Sequence, residues 1–461
     1  MIGLLEKAAA ERPAQVAVVT PEATLTYGEL LDGARQVAGA LAERGIERFA
    51  VLEPDAGWVL RLLAGAAAVG SEPCQYQPDL DAAQFAEQAA ALGHTIVVTR
   101  RTDLPAGFTV LRPDTLGAPY DGGPVAEGAP QPVMIRTTGT TGLPKAARHD
   151  WAVLARRAGT ARPHPEERWL LAYGPQQFAG IQVLLHVLAV QATLVAPFPR
   201  QPRDGLAALV EQDVTCVSAT PTYWRFLLAE ARSAKAALPR LTQITLGGEA
   251  SPPDLLAELQ DAFPDARISQ VYASTEFGSI ASVRDGRPGL SATSLWGPDN
   301  PEGLLKVEDG ELLVRAGTGM LGYAGDAAES PREADGWVAT GDLVEVVEDR
   351  VLFRGRSSEV INVGGVKVHP LPIEERVAAV PGVQVARVHG RANPMVGAVV
   401  AVEVALTDEG RADESAVKAA IRSACADLPR AWQPRSIKVV AEAELAAATK
   451  GGKTVRATSP E

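Results

Sequence analysis

The chain is short of cysteine, short of positive charge and without a long apolar run, and each shortage closes a class of function. Its three cysteines, Cys74, Cys216 and Cys425, stand far apart in 461 residues. They form no CxxC pair, so neither a zinc ribbon nor a disulfide scaffold is expected, and a reducing cytoplasm suits them. Lys plus Arg number 44 against 56 Asp plus Glu, a net charge of -12. Nucleic-acid phosphates and anionic membrane surfaces both select basic faces, so no nucleic acid and no membrane is expected as partner. The opening MIGLLEKAAAERP lacks the basic segment and long apolar run of a secretory leader. The most apolar stretch, residues 181–198, is interrupted by Gln182, His186, Gln191 and Pro197. A buried helix followed by a buried strand explains it better than a bilayer span. No internal repeat of ~20–50 residues is present.

What is present is an alternation of helix and strand. Thr26 followed by Glu29 has the spacing of a capping box, and Leu30, Ala34, Val37, Ala38 and Leu41 then form one apolar stripe up to Gly45. Residues 49–52 read as a buried strand and 60–69 as the next helix. Further strands are expected at 94–99, 133–136, 193–196, 214–218, 244–246 and 268–272, with helices at 184–190 and 255–263. That order predicts an α/β fold with mainly parallel sheets. From about Gly303 to residue 355 short strands between Gly and Asp turns predict a small β-barrel-like antiparallel unit. Beyond it the pattern becomes strand, helix, strand, strand, helix, strand, a separate mobile α+β lobe. The expected division is residues 1–356 and 357–461.

The segment Thr137-Thr138-Gly139-Thr140-Thr141-Gly142-Leu143-Pro144-Lys145 follows a predicted strand. Small hydroxyl residues and glycines let backbone N–H groups approach an anion, and Lys145 supplies countercharge. It is not a Walker A loop, because the GxxxxGK[ST] spacing is absent. Five more strings follow in order: Gly247-Gly248-Glu249-Ala250, Tyr272-Ala273-Ser274-Thr275-Glu276, Thr340-Gly341-Asp342, Gly355-Arg356 with Gly364-Gly365-Val366-Lys367, and Thr449-Lys450-Gly451-Gly452-Lys453-Thr454-Val455-Arg456. Together they resemble the adenylate-forming superfamily of acyl- and aryl-CoA synthetases, peptide-synthetase adenylation domains and luciferases. The resemblance covers nearly the whole chain.

The resemblance implies ATP and Mg²⁺ as cofactors and CoA as co-substrate. It assigns Thr137, Thr138, Gly139, Thr140, Thr141, Gly142 and Lys145 to the β- and γ-phosphates, Thr275 to the α-phosphate and Glu276 to the metal, an oxygen ligand beside phosphate being suitable chemistry for a hard cation. Tyr272 with the Gly248-Glu249-Ala250 turn would enclose adenine. Asp342 would accept from the ribose hydroxyls, and Arg356 would contact ribose or phosphate at the hinge. Lys453 would bond the attacking carboxylate and the α-phosphate in the transition state. Rotation of the small lobe would bring the Gly364-Gly365 strand to the site for a thiolation step. The residue two beyond the hinge arginine, often Asp or Lys in the family, is here Ser358.

Two stretches are expected to line the acid pocket, residues 174–182 with Gln177, Phe178, Ala179 and Gly180, and residues 219–226 with Thr222, Tyr223 and Trp224. Gln177 falls where many CoA ligases carry His, and Ala179 where amino-acid-activating domains carry Asp. No acid is there to hold an α-ammonium, so an aromatic or medium acyl acid is the expected small-molecule substrate. Three activities share these motifs: a CoA synthetase, an enzyme loading a carrier protein in trans, and a diazotase activating nitrite onto an aromatic amine. A non-enzymatic binding module would be expected to have lost Glu276 or Lys453, and both are present.

Overall fold

The helix Tyr27–Glu43 begins where its sequence says it should. Thr26 and Glu29 close a reciprocal capping box, and Leu30, Ala34, Val37, Ala38 and Leu41 are all buried beneath it. It packs against the helix Ala56–Val69, which Asp55 caps at one end and Gly70, in the left-handed region at φ 71°, closes at the other. The computed structural model describes the chain except residues 121, 123–124, 126–127, 138–144, 157, 197–201, 316–318, 325–335, 448, 451–452, 455 and 457–461; for 202, 443, 446–447, 449–450 and 453–454 only the backbone is described.

Two α/β sheets form the body. The eight-stranded sheet runs in space from Gly278–Val283 through Arg267–Ser274, Gln243–Gly247, Cys216–Ala219, Arg168–Leu170, Thr193–Val195 and Val16–Val19 to Thr24–Thr26. The interior pairings are parallel, and only the two edge pairings are antiparallel. The seven-stranded sheet carries Pro132–Arg136 beside Ala146–Asp150, the two strands that flank the Thr/Gly loop. Parallel strands are covered on both faces, so they read as continuous apolar runs. The helix Phe178–Val190 is a case in point: ten of its thirteen residues are buried, which is why its sequence imitates a membrane span. No helix among the described residues is long and apolar enough to cross a membrane.

The antiparallel unit is a five-stranded sheet ordered Leu290–Ser291, Arg350–Arg356, Trp337–Val347, Glu311–Arg315, Leu305–Glu308. It starts upstream of residue 303, because its first strand has two residues and leaves no periodic trace. A bridge from Leu295 to Leu305 brings its two ends together, which gives the barrel-like curl. A short 3-10 turn, Ser357–Glu359, leads into the last sheet. There Val383–Asn393 and Gly397–Leu406 form a long hairpin, flanked by Ile361–Val363, Val366–Val368 and Ser436–Val439. The helix Pro370–Ala378 lies against that hairpin. Phe226, from the body's helix Pro221–Ser233, packs in one apolar cluster with Val385, Ala405, Val440 and Leu445 of this lobe.

Candidate active site

A cavity of about 350 Å³ lies where strand ends of the body, the antiparallel unit and the last lobe converge. The turn Gly248-Glu249-Ala250 forms one wall. Gly248 has φ 87°, a conformation that favours glycine and turns the chain out of the strand Gln243–Gly247. Glu249 accepts the Thr222 backbone N–H at 3.0 Å, capping the helix Pro221–Ser233 with a carboxylate. Thr222 and Arg225 also face the cavity.

Tyr272, Asp342 and Arg356 form the polar floor. The Tyr272 hydroxyl donates to Asp342 Oδ2 at 2.7 Å, and Arg356 Nε lies 3.0 Å from Asp342 Oδ1. Burial, reinforced by the Asp342 charge, pushes the Tyr272 phenol well above its ordinary value. The same carboxylate raises the Arg356 guanidinium. One face of the Tyr272 ring is taken by Phe353, with centroids 5.3 Å apart. Gly341, at φ 76°, and the Thr340 hydroxyl, which accepts the Asp342 N–H at 3.0 Å, aim the carboxylate inward.

Thr275 and Glu276 occupy the turn between Arg267–Ser274 and Gly278–Val283, at the open end of the sheet. Glu276 Oε1 accepts the Tyr323 hydroxyl at 3.0 Å. Lys145 Nζ stands 4.9 Å over the same Tyr323 ring, so this tyrosine links the base of the Thr/Gly loop to the Thr-Glu turn. The loop is closed at its foot by the Thr137 N–H donating to the Lys145 carbonyl at 2.7 Å. Thr138, Gly139, Thr140, Thr141 and Gly142 lie outside the described residues. No cluster of three His, Cys, Asp or Glu side chains that could hold a metal occurs among the described residues. A single carboxylate at a phosphate site suits Mg²⁺, which keeps waters and takes its remaining ligands from substrate phosphates. Bound there, the ion would neutralise phosphate charge.

The residues expected around the acid divide into two groups. Gln177 precedes the helix Phe178–Val190 and accepts the Gly174 N–H at 2.9 Å. Phe178 is buried, with its ring 6.0 Å from that of His149, and Ala179 packs beside it. Gly180 is there for want of space, since a Cβ would collide with the Gly174 carbonyl oxygen. Tyr223 and Trp224 turn into the core, and none of Gln177, Phe178, Ala179, Gly180, Tyr223 and Trp224 lines the cavity. Trp224 is fully buried and meets Phe263 edge-on, while the Tyr223 hydroxyl is buried against Gly205. Successive helix residues are ~100° apart, so Pro221, Thr222 and Arg225 face the cavity while 223 and 224 enter the core.

Gly364 and Gly365 are a turn rather than a strand. They form the two-residue loop between Ile361–Val363 and Val366–Val368, with φ 59° and 87°, as a tight hairpin requires. They do not line the cavity. Lys453 lies in the short strand Lys453–Thr454, paired with Thr449–Lys450, and its side chain is outside the described atoms. Three residues on, Arg456 is held by Glu374 through Nε to Oε2 at 3.0 Å and Nη2 to Oε1 at 2.5 Å. Burial opposes the Arg456 charge, but Glu374, Glu249 and Glu359 outweigh it and raise its pKa. Arg456 and Glu374 both line the cavity, so the last lobe contributes directly to it. The sequence strings contain no hint of Glu374, Tyr323 or His149, because each is recruited by tertiary contact.

Comparison with known proteins gives this geometry a family. The model of the AMP-binding enzyme family matches residues 5–324. An isonitrile lipopeptide synthase of Streptomyces coeruleorubidus is 28% identical over 85% of the chain, and the chain spans 29% of that protein. The medium/long-chain-fatty-acid–[acyl-carrier-protein] ligase FadD10 of Mycobacterium tuberculosis is 29% identical over 72% of the chain and 66% of its own length. A 4-chlorobenzoate–CoA ligase of an Arthrobacter species is 27% identical over 89% of the chain and 86% of its own length. Among solved structures, the anthranilate CoA ligase AuaEII, in complex with anthranoyl-AMP, superposes with a TM-score of 0.81 at 20% identity, over 96% of this chain and 93% of that one. At that identity the likeness is one of fold. The family match takes in the Thr/Gly loop, the Gly248 turn and the Tyr272–Glu276 string, and covering more than half of the chain it establishes that the chain belongs to the AMP-binding enzyme family.

Proposed function

We propose that the chain activates an aromatic or medium acyl carboxylic acid with ATP and then transfers the acyl group to the thiol of CoA. In the first step a carboxylate oxygen attacks the α-phosphorus, the bond to the β-phosphate breaks and pyrophosphate leaves. In the second, the thiolate attacks the acyl carbonyl and AMP leaves. The observation that carries this reading is the convergence of Asp342, Tyr272, Arg356 and the Gly248–Ala250 turn on one cavity. An ionised acceptor held by two donors suits a ribose diol, and a glycine turn suits close approach of a purine. In this reading Lys145 and the Thr137–Thr141 hydroxyls hold the β- and γ-phosphates, Thr275 the α-phosphate and Glu276 the Mg²⁺. Lys453 stabilises charge between carboxylate and α-phosphate, and the Gly364–Gly365 turn serves the thiolation step.

A second reading, transfer to a carrier protein in place of CoA, is supported by the similarity to an enzyme named as an acyl-carrier-protein ligase. The test is pyrophosphate release over aryl, acyl and amino acids and nitrite, with CoA, with an acyl carrier protein and with neither, products being identified by mass. Acid-dependent release and an acyl-CoA product are expected. Thioester on the carrier alone selects the second reading, and absence of acid-dependent release overturns both. Lys453→Ala is expected to lower adenylate formation ~100-fold or more while ATP binding persists; undiminished adenylation would remove the Lys453 role.

A further inference from the structure

Lys453, to which the first step assigns charge stabilisation, is carried on very little structure. Its strand, Lys453–Thr454, pairs with Thr449–Lys450 in a sheet of two strands, two residues each. A pair of that size is marginally stable at best in water, so its position has to come from what holds its two ends. Upstream, the helix Glu442–Ala447 puts the buried Leu445 into the cluster of Phe226, Val385, Ala405 and Val440. Downstream comes Arg456. Three residues of chain span at most ~11 Å, so whatever fixes Arg456 limits how far Lys453 strays.

Glu374 is that fixture. It is buried in the helix Pro370–Ala378. Its Oε2 accepts the Val388 N–H at 2.9 Å and Arg456 Nε at 3.0 Å, and its Oε1 accepts Arg456 Nη2 at 2.5 Å. The guanidinium is therefore gripped at two points, by a carboxylate that is itself tied to the strand Val383–Asn393. Helix, hairpin and tail meet at one side chain. A charge-assisted bond made at two points fixes direction as well as distance. The two side chains are 12% and 11% exposed, so water competes little for either. Both line the cavity, so the tail is fastened at the wall of the site and not elsewhere on the lobe.

We infer that Glu374 is a positioning residue for adenylate formation: by gripping Arg456 it fixes the tail that presents Lys453 to the site. Its effect on the reaction passes through Lys453. A misplacement of ~1 Å costs up to ~100-fold in rate, so a carboxylate outside the chemistry has leverage on it. Loosening the grip lowers the share of molecules with Lys453 in place. ATP binding, assigned to Asp342, Tyr272, the Gly248–Ala250 turn and the phosphate loop, stays as it was.

This inference rests on the role proposed for Lys453, and the test separates the two. Acid-dependent pyrophosphate release is measured for wild type, Glu374→Gln, Arg456→Ala and Lys453→Ala, and for Glu374→Gln and Arg456→Ala each combined with Lys453→Ala. With Lys453 present, Glu374→Gln and Arg456→Ala are each expected to lower kcat ~10-fold or more, with the KM for ATP within ~2-fold of wild type. Once Lys453 is replaced, both are expected to cost little further, since the residues act as one unit. Arg456→Lys, which keeps the charge without the two-point grip, is expected to fall between. Wild-type kcat in both variants, a KM for ATP that rises as much as kcat falls, or a defect undiminished in the Lys453→Ala background overturns the inference and leaves adenylation standing. Where Lys453→Ala falls below detection, the split between kcat and KM decides. No acid-dependent release by wild type, or full activity of Lys453→Ala, overturns the underlying reading and this inference with it. If Arg456→Ala fails to fold, Glu374→Gln, which keeps an acceptor for the Val388 N–H, still decides the matter.

Discussion

At the scale of single residues, Asp342 has the most to lose. It binds a phenol and a guanidinium already, and a carboxylate has lone pairs enough to accept two ribose hydroxyls as well. Asp342→Ala removes that acceptor and leaves Arg356 facing the cavity unpaired. The KM for ATP is expected to rise ~10-fold or more, with the KM for the acid little changed, read by pyrophosphate exchange. An unchanged ATP requirement would refute the ribose assignment. Asp342, Tyr272 and Arg356 were legible in the sequence because each sits in a short string whose neighbours are also constrained. Glu374 and His149 were not, because nothing local marks them: one is a mid-helix glutamate and the other a histidine in a strand. Burial pairs Glu374 with Arg456 and leaves His149 Nε2 without a hydrogen-bond partner.

Among the elements, the helix Phe178–Val190 carries the residues proposed for the acid, and Gly180 fixes how closely its first turn approaches the backbone at Gly174. Gly180→Ala puts a methyl into the Gly174 carbonyl, a backbone atom that cannot rotate away. The first turn has to shift, at a cost of ~1–3 kcal/mol as for other overpacked positions. The expected result is a lower denaturant midpoint and a raised KM for the acid, with ATP binding retained; a KM unaffected by the substitution would detach this helix from the acid. Capped helices such as Tyr27–Glu43 were legible residue by residue, since capping box and stripe agree. The strand Leu290–Ser291 was not, being two residues long. Tyr223 and Trp224 misled for a different reason: adjacency in sequence suggests a common face, but a helix sends neighbours in different directions, and aromatic bulk goes to the core as readily as to a pocket.

For the whole molecule, three histidines whose proton affinity burial lowers contribute a pH dependence. Burial lowers His94, His149 and His186 each from 6.5 to about 4. Between those values the unfolded chain binds protons that the folded chain refuses, so stability rises with pH and is lost as pH falls. Each histidine contributes a slope of up to ~1.4 kcal/mol per pH unit. Glu359 and Glu375, raised by burial, act in the opposite sense near the carboxylate range, and His369, also lowered by burial, adds to the histidine slope. The urea midpoint is expected to fall as pH falls from 6.5, and His186→Phe, which keeps the contact with Trp169, is expected to reduce the slope; a flat profile would contradict neutral burial. The acidity of the chain also has an address. Residues 357–461 carry thirteen Lys and Arg against twelve Asp and Glu, so the negative excess belongs to the body. The last lobe is therefore not driven from its seat by like charge, and Phe226 of the body packs there among Val385, Ala405, Val440 and Leu445. An apolar seat is a thermometer. Lifting the lobe wets a phenyl ring and several aliphatic side chains, so undocking carries a positive heat capacity, and the grip of the seat slackens on cooling. Any step that waits for the lobe to leave will depend on temperature along a curve, while the chemistry inside the closed site follows a straight line.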